Sequence, residues 1–211
     1  MKIIAINGSP RPKGNTSIVL EAMQEELVKE GIEMEVLQIG GKLIHGCIAC
    51  GACARKGNNR CETFTDDEVN AISEQMRAAD GFILAAPTYF GGIPGTMKSF
   101  LDRLFYSSNA SKPFRNKVAT AMAVVRRAGG VEVFNQLSHY LTMAEVATPP
   151  GQYWGVAFGR EKGEVLQDAE GMQTARRKAN AMAWLLKTIA AGKAVPPPRV
   201  EPLQRTNFVK G

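Results

Sequence analysis

This chain of 211 residues has few aromatics (7%), two histidines and no long apolar run. The longest clean apolar stretch, Val118 to Val125, is far short of the roughly 18 residues of a membrane-spanning helix, so no membrane association is expected. At the amino terminus only Ile3 to Ile6 separate Lys2 from Asn7-Gly8, too little for the apolar core of a secretory signal. The reading is a cytoplasmic protein, a compartment in which thiols stay reduced. The four cysteines all fall between Cys47 and Cys61. No disulfide framework spans the chain, and cysteine chemistry is local. The net charge of +6 is spread along the sequence, with adjacent arginines only at Arg126-Arg127 and Arg176-Arg177. Without a stacking motif nearby this excludes nucleic acid as the expected partner, and leaves a mild field suited to anionic ligands or an acidic electron-transfer partner.

What the chain does have is alternation of strand and helix. Ile3 to Ile6, Phe82 to Ala86 and Val118 to Val125 are continuous apolar runs, as strands buried on both faces are. Met34 to Ile39 half alternates, which places it toward a sheet edge, and Trp154 to Phe158 is a weaker fifth strand. Between them a helix runs from Asn15 to Gly31, with Ile18, Val19, Ala22, Met23 and Leu27 on one face. Thr65-Asp66-Asp67-Glu68 predicts a capping box opening a helix that ends near Ala79. Pro94 suits the first turn of a helix carrying Met97, Phe100, Leu101, Leu104 and Phe105. Further helices are expected over Val131 to Ala144 and Gly171 to Ala191. The fold class is α/β: a flavodoxin-like, doubly wound, five-stranded parallel sheet with helices on both faces. One domain covers residues 1–191, with a cysteine-rich loop at 41–64. A proline-rich tail at 192–211 cannot continue the last helix.

Ligands of such sheets bind beyond the carboxyl ends of the strands. There the first loop, Gly8-Ser9-Pro10-Arg11-Pro12-Lys13-Gly14-Asn15-Thr16-Ser17, brings hydroxyls, a guanidinium and a helix amino terminus together, a set suited to a dianionic phosphate. It is neither a Walker loop nor GxGxxG. The loop leaving the third strand, Pro87-Thr88-Tyr89-Phe90-Gly91-Gly92, sets two aromatics beside paired glycines, where a flat ring can approach the backbone.

Through Gly8-Ser9-Pro10-Arg11 with Asn15-Thr16, and through Pro87 to Gly92, the chain resembles the flavodoxin-like NADPH-dependent FMN reductase superfamily, and within it the iron-sulfur flavoproteins. The resemblance implies FMN, with its phosphate held by Ser9, Arg11, Asn15, Thr16 and Ser17. Its ring would lie along Pro87, Thr88, Tyr89, Phe90, Gly91 and Gly92. Arg126 and Arg127, leaving the fourth strand, would lie near the ring and favour reduced, anionic flavin.

The thiols read Cys47-x2-Cys50-x2-Cys53-x7-Cys61, three at ferredoxin-like spacing and a fourth across a glycine-containing loop. The compact motif of the iron-sulfur flavoproteins has this form, although Glu62 stands where ferredoxins place proline. Three readings stay open: a [4Fe–4S] cluster, a structural zinc, or free or redox-active thiols. His45 reads as a loop histidine rather than a ligand, and His139 as half-buried structure rather than a base.

The expected function is an FMN-dependent oxidoreductase or electron-transfer flavoprotein relaying electrons between the cluster and FMN. The flavin carries the chemistry, so no protein acid, base or nucleophile is called for. The resemblance implies ferredoxin as donor, with a quinone, another flavin, oxygen or peroxide as acceptor, in a homodimer or homotetramer. The alternatives are an NAD(P)H-dependent FMN or quinone reductase without a cluster, and a non-enzymatic flavin carrier with a four-cysteine zinc site.

Overall fold

The structure, a computed structural model, describes residues 1–202 and 204. Five strands, β1 (Lys2–Asn7), β2 (Glu33–Gln38), β3 (Gly81–Pro87), β4 (Val118–Val125) and β5 (Val156–Phe158), pair in parallel in the order β2-β1-β3-β4-β5. This is the doubly wound sheet expected, with the half-alternating β2 at an edge. The helices are α1 (Asn15–Lys29), α2 (Ala52–Lys56), α3 (Val69–Ala78), α4 (Gly95–Ser107), α5 (Gly130–Met143) and α6 (Ala169–Ala191).

Because successive strand side chains point to opposite faces, each buried strand serves two cores. Ile4, Ile6, Phe82, Leu84 and Ala119 meet α3, α4 and α5 on one side. Ile3, Ala5, Ile83, Ala85 and Met122 meet α1 and α6 on the other. Each fully buried Ile, Leu or Phe contributes about 1.5–3 kcal/mol. The two faces thus hold rigid the strand ends from which the loops emerge.

The capping box is not formed. Helix α3 begins at Val69, and Glu68 at its amino end makes no side-chain cap. Asp67, which lies inside the expected helix, instead accepts hydrogen bonds from the Arg103 guanidinium on α4. Asp67 Oδ1 also accepts from the Val69 N–H (3.2 Å), so the same carboxylate ties the start of α3 to α4. Pro94 precedes the first turn of α4 rather than lying in it. Trp154 turns onto Val156, whose N–H donates to its carbonyl at 2.8 Å, which shortens β5 at its start.

Helix α6 stops at Ala191, and the described residues beyond it form neither helix nor strand. The remainder of the expected tail lies outside the described residues. Among those described, no helix is long and apolar enough to cross a membrane.

Candidate functional site

The loop from β1 to α1 is held open by its neighbours. Ser9 N–H donates to Asn7 Oδ1 (2.9 Å), and Ser9 Oγ accepts from Arg11 N–H (3.2 Å). Gly40, after β2, passes so close that a Cβ there would overlap the Ser9 carbonyl. Helix α1 starts after Gly14 with no side-chain cap and no acidic residue in its first turn. Its free N–H groups and the positive end of its dipole therefore remain available to an anion.

A cavity of about 250 Å³ opens at this point, lined by Ser9, Arg11, Asn15 and Thr16 from the first loop, Pro87, Thr88 and Tyr89 from the end of β3, and Arg126 from the end of β4. Gly159 and Arg160, following β5, complete the wall. Three arginines and no carboxylate line this space, and the Arg160 guanidinium also pairs with Glu161 (3.1 Å). The Thr88 hydroxyl is buried there without a hydrogen-bond partner. Buried polar groups are generally satisfied, so this oxygen is suited to a polar ligand.

Other sequence-expected residues have different surroundings. Asn15 lines the cavity, but its amide donates to the Glu161 carbonyl (2.9 Å) and accepts from Gly163 N–H (2.9 Å). Ser17 Oγ accepts from Asn7 Nδ2 (3.0 Å), behind the loop. Tyr89 and Gly92 close a two-residue turn with reciprocal backbone bonds of 2.9 and 3.0 Å. Phe90 and Gly91 at its tip have φ of +48° and +79°, and Phe90 is fully exposed. Phe90, Gly91 and Gly92 are thus outside the cavity wall. Gly129, at φ +86°, lets the loop after β4 pack on Thr88 and Gly91, where a Cβ would stand 3.1 Å from each. Arg127 turns to a neighbouring cavity of about 350 Å³ with Tyr153, Trp154 and Phe158.

Sequence reasoning did not single out Arg160. It carries the same signal as the other loops, a glycine and a cation directly after a strand, but β5 is only three residues long and gives that loop little to mark it.

The cysteine segment runs along α4. Ala49 and Gly51 take positive φ (+53° and +70°), turning the chain between Cys47 and Cys53, and α2 then carries Cys53. Gly57 closes this helix, and Lys56 and Asn58 tie back to Glu62 (both 2.8 Å). Asn70 clamps Cys61, accepting from its N–H (2.8 Å) and donating to its carbonyl (3.0 Å). As a result Cys47, Cys50, Cys53 and Cys61 all line one cavity, closed on the helix side by Arg103, Tyr106 and Ser107.

The thiols differ in their surroundings. A hydrogen bond with Thr63 Oγ1 (3.0 Å) lowers the pKa of Cys50, and burial raises that of Cys53. Among the described residues no group of three or more His, Cys, Asp or Glu side chains is already drawn together around a metal position. A tetrahedral zinc gathers its thiolates around one atom, whereas a four-iron cluster spreads them over separate irons. On the far side of Cys47 an apolar cavity of about 410 Å³ is lined by Phe105, Phe114 and Tyr140. There burial and a 2.5 Å hydrogen bond to Asp102 push the Tyr140 pKa up to about 12.

The two sites stand at different ends of α4. Met97, in the first turn, packs under Gly8 of the cationic loop, while Tyr106, near the last turn, borders the cysteines. At 1.5 Å per residue these positions are about 14 Å apart along the axis. The loop leaves β2 at the carboxyl edge of the sheet, as its place in the sequence predicts, but folds back along α4 before the thiols gather.

The sheet topology and a cationic cavity at the carboxyl ends of β1, β3, β4 and β5 define a flavodoxin-like protein of the flavin-binding class. More particularly, the chain belongs to the NADPH-dependent FMN reductase family, whose model matches residues 1–161, and is a flavin-dependent oxidoreductase. It is 35% identical over 202 residues to an iron-sulfur flavoprotein of Methanocaldococcus jannaschii, covering 90% of this chain and 99% of that one. It is 32% identical over 193 residues to an iron-sulfur flavoprotein of Methanosarcina thermophila, covering 90% and 97%. Among solved structures, RosB with bound 8-demethyl-8-formylriboflavin-5'-phosphate is similar at a TM-score of 0.66 and 19% identity, covering 100% of this chain and 96% of that one. This last likeness is one of fold.

Proposed function

We propose that this protein relays electrons between a [4Fe–4S] cluster bound by Cys47, Cys50, Cys53 and Cys61 and an FMN bound at the carboxyl edge of the sheet. The observation that carries the reading is that one chain offers both a cavity lined by all four cysteines and, separately, a cationic cavity at a helix amino terminus. Ser9, Arg11, Thr16 and the first N–H groups of α1 bind the phosphate. Asn15 fixes the loop that brings Arg160 to the same cavity, and Ser17 braces the strand end through Asn7. Pro87, Thr88, Tyr89 and Arg126 border the ring.

When bound, FMN exchanges two electrons where the cluster exchanges one, so the pair couples one-electron to two-electron partners. The protein's part is to hold each group and set the charge around it. Arg126 favours negative charge at the ring. Four cysteines on one cavity at ferredoxin-like spacing, and the iron-sulfur flavoprotein names of the relatives, support a cluster over zinc. The separation along α4 favours a route in which a second subunit brings its flavin to this chain's cysteines, as in a homodimer or homotetramer. Ferredoxin is the donor and a small molecule the acceptor.

The family's description as NADPH-dependent supports a second reading, a nicotinamide-driven FMN or quinone reductase whose thiols hold no iron. Anaerobic purification with iron, acid-labile sulfide, zinc and flavin measured on one sample separates the two. About four irons and four sulfides per FMN, with slow bleaching by NADPH, support the relay. Flavin without iron, bleached rapidly by NADPH, supports the reductase.

A further inference from the structure

The cysteine cavity has one wall that the thiols do not explain. Arg103 is 1% exposed, in the carboxyl-terminal half of α4. A guanidinium has five N–H donors. Nη1 donates to Asp67 Oδ2 and to the His45 carbonyl (3.4 Å), and Nη2 donates to Asp67 Oδ1 (3.1 Å) and to the Phe64 carbonyl (2.6 Å). The Phe64 ring lies 5.3 Å from the guanidinium carbon and is itself covered by the His45 ring at 4.0 Å. The fifth donor, Nε–H, is buried and has no partner.

Arg103 lines the cavity with all four cysteines. Burial works against its charge, but Asp67 and the nearby Cys61 outweigh this and hold its pKa above the ordinary value. Two hydroxyls at the cavity are engaged: Thr63 with Cys50, and Ser107 with the Leu104 carbonyl (3.1 Å). An unpartnered N–H in a buried cation is costly unless something in the cavity accepts it.

We propose that Arg103 Nε–H donates a hydrogen bond to a sulfur of the iron-sulfur group, at or beside Cys61, and thereby raises its reduction potential. The inference rests on the cluster reading above. Reduction places an extra electron on an already anionic, sulfur-rich group, so a donor to sulfur stabilises the reduced form more than the oxidised one. Asp67 cancels the net charge of Arg103 and fixes both Nη atoms, which makes it a positioning residue. The effect is therefore that of a directed N–H rather than of a free positive charge.

Arg103→Lys keeps a cation for Asp67 and removes the Nε–H. In anaerobically prepared protein with iron and sulfide quantified, its cluster midpoint, followed by potentiometric EPR, is expected to shift downward while the FMN midpoint stays in place. A fully loaded Arg103→Lys protein with the parental cluster midpoint overturns the proposal. A measurement on the unsubstituted chain avoids dependence on the folding of the variant. Protein labelled with 15N in the arginine guanidino groups is expected to give a nitrogen coupling to the reduced cluster in pulsed EPR. A full cluster without that coupling overturns the role of Arg103 alone. Flavin-replete protein that holds no acid-labile sulfide, even after reconstitution, overturns the cluster reading and this inference with it.

Discussion

Asn15, the first residue of α1, is bound through both atoms of its amide to the loop after β5: its Oδ1 accepts from Gly163 N–H at 2.9 Å, and its Nδ2 donates to the Glu161 carbonyl at 2.9 Å. The two segments are 148 residues apart in sequence. A residue expected to touch phosphate thus also holds in place the loop that carries Arg160.

Asn15→Ala removes both bonds, at about 0.5–1.5 kcal/mol each. The expected outcome is faster amide exchange at residues 159–163 and FMN binding weakened several-fold. The proposed binding and bracing roles separate in Arg160→Ala, which is expected to weaken FMN without loosening the loop. Unchanged exchange in Asn15→Ala would show that the loop is held elsewhere.

Arg11 and Thr88 test the cavity from its two ends. Arg11→Ala is expected to weaken FMN binding most at low salt, because the lost contact is ionic and exposed. Unchanged flavin occupancy would sink the phosphate assignment. Thr88→Val removes a hydroxyl that is buried and unpartnered without flavin. The flavin-free protein should then be equally stable, or more stable by about 1–3 kcal/mol, while FMN affinity falls. A parallel loss in both would instead assign the hydroxyl a structural role.

These cases show which parts of the fold and candidate site were legible in the sequence. The strands Ile3 to Ile6 and Val118 to Val125 were readable because burial on both faces leaves a continuous apolar run. The loops after β1 and β3 were readable because proline, glycine and hydroxyls cluster where a strand stops. The ion pair of Asp67 is not legible because its partner Arg103 lies 36 residues away on another helix, and no local pattern reveals a contact at that separation. Nothing in the local sequence marks Arg103 as buried, because its burial depends on how the cysteine segment folds back over α4. The short helix α2 was hidden for a similar reason, since its five residues have no amphipathic period to read.

Phe90 was expected against the flavin ring, yet it projects into solvent at φ +48°. A bulky residue in the left-handed region costs about 1–2 kcal/mol. Phe90→Gly should recover part of that in thermal unfolding and leave FMN affinity of the isolated subunit unchanged. A marked loss of affinity at protein concentrations favouring monomer would place the ring at its own subunit's flavin. A loss appearing only in the oligomer would place it at a neighbour's.

Lys178 supplies a pH test. It is 5% exposed on α6, has no carboxylate partner among the described salt bridges, and its ammonium lies 5.3 Å from the centre of the Phe134 ring. Burial lowers its pKa below 10.5. Between that lowered value and 10.5 the unfolded chain holds a proton that the folded chain has released, so this group makes stability rise with pH there. Below the folded value both states are protonated, and its contribution no longer changes with pH but remains unfavourable. Lys178→Met keeps a similar apolar stem and removes the charge. It should raise stability at neutral pH and flatten the alkaline rise in urea unfolding measured across pH 7–10. A variant less stable than the parent at neutral pH would show instead that the ammonium, through its contact with Phe134, stabilises the fold by more than its burial costs.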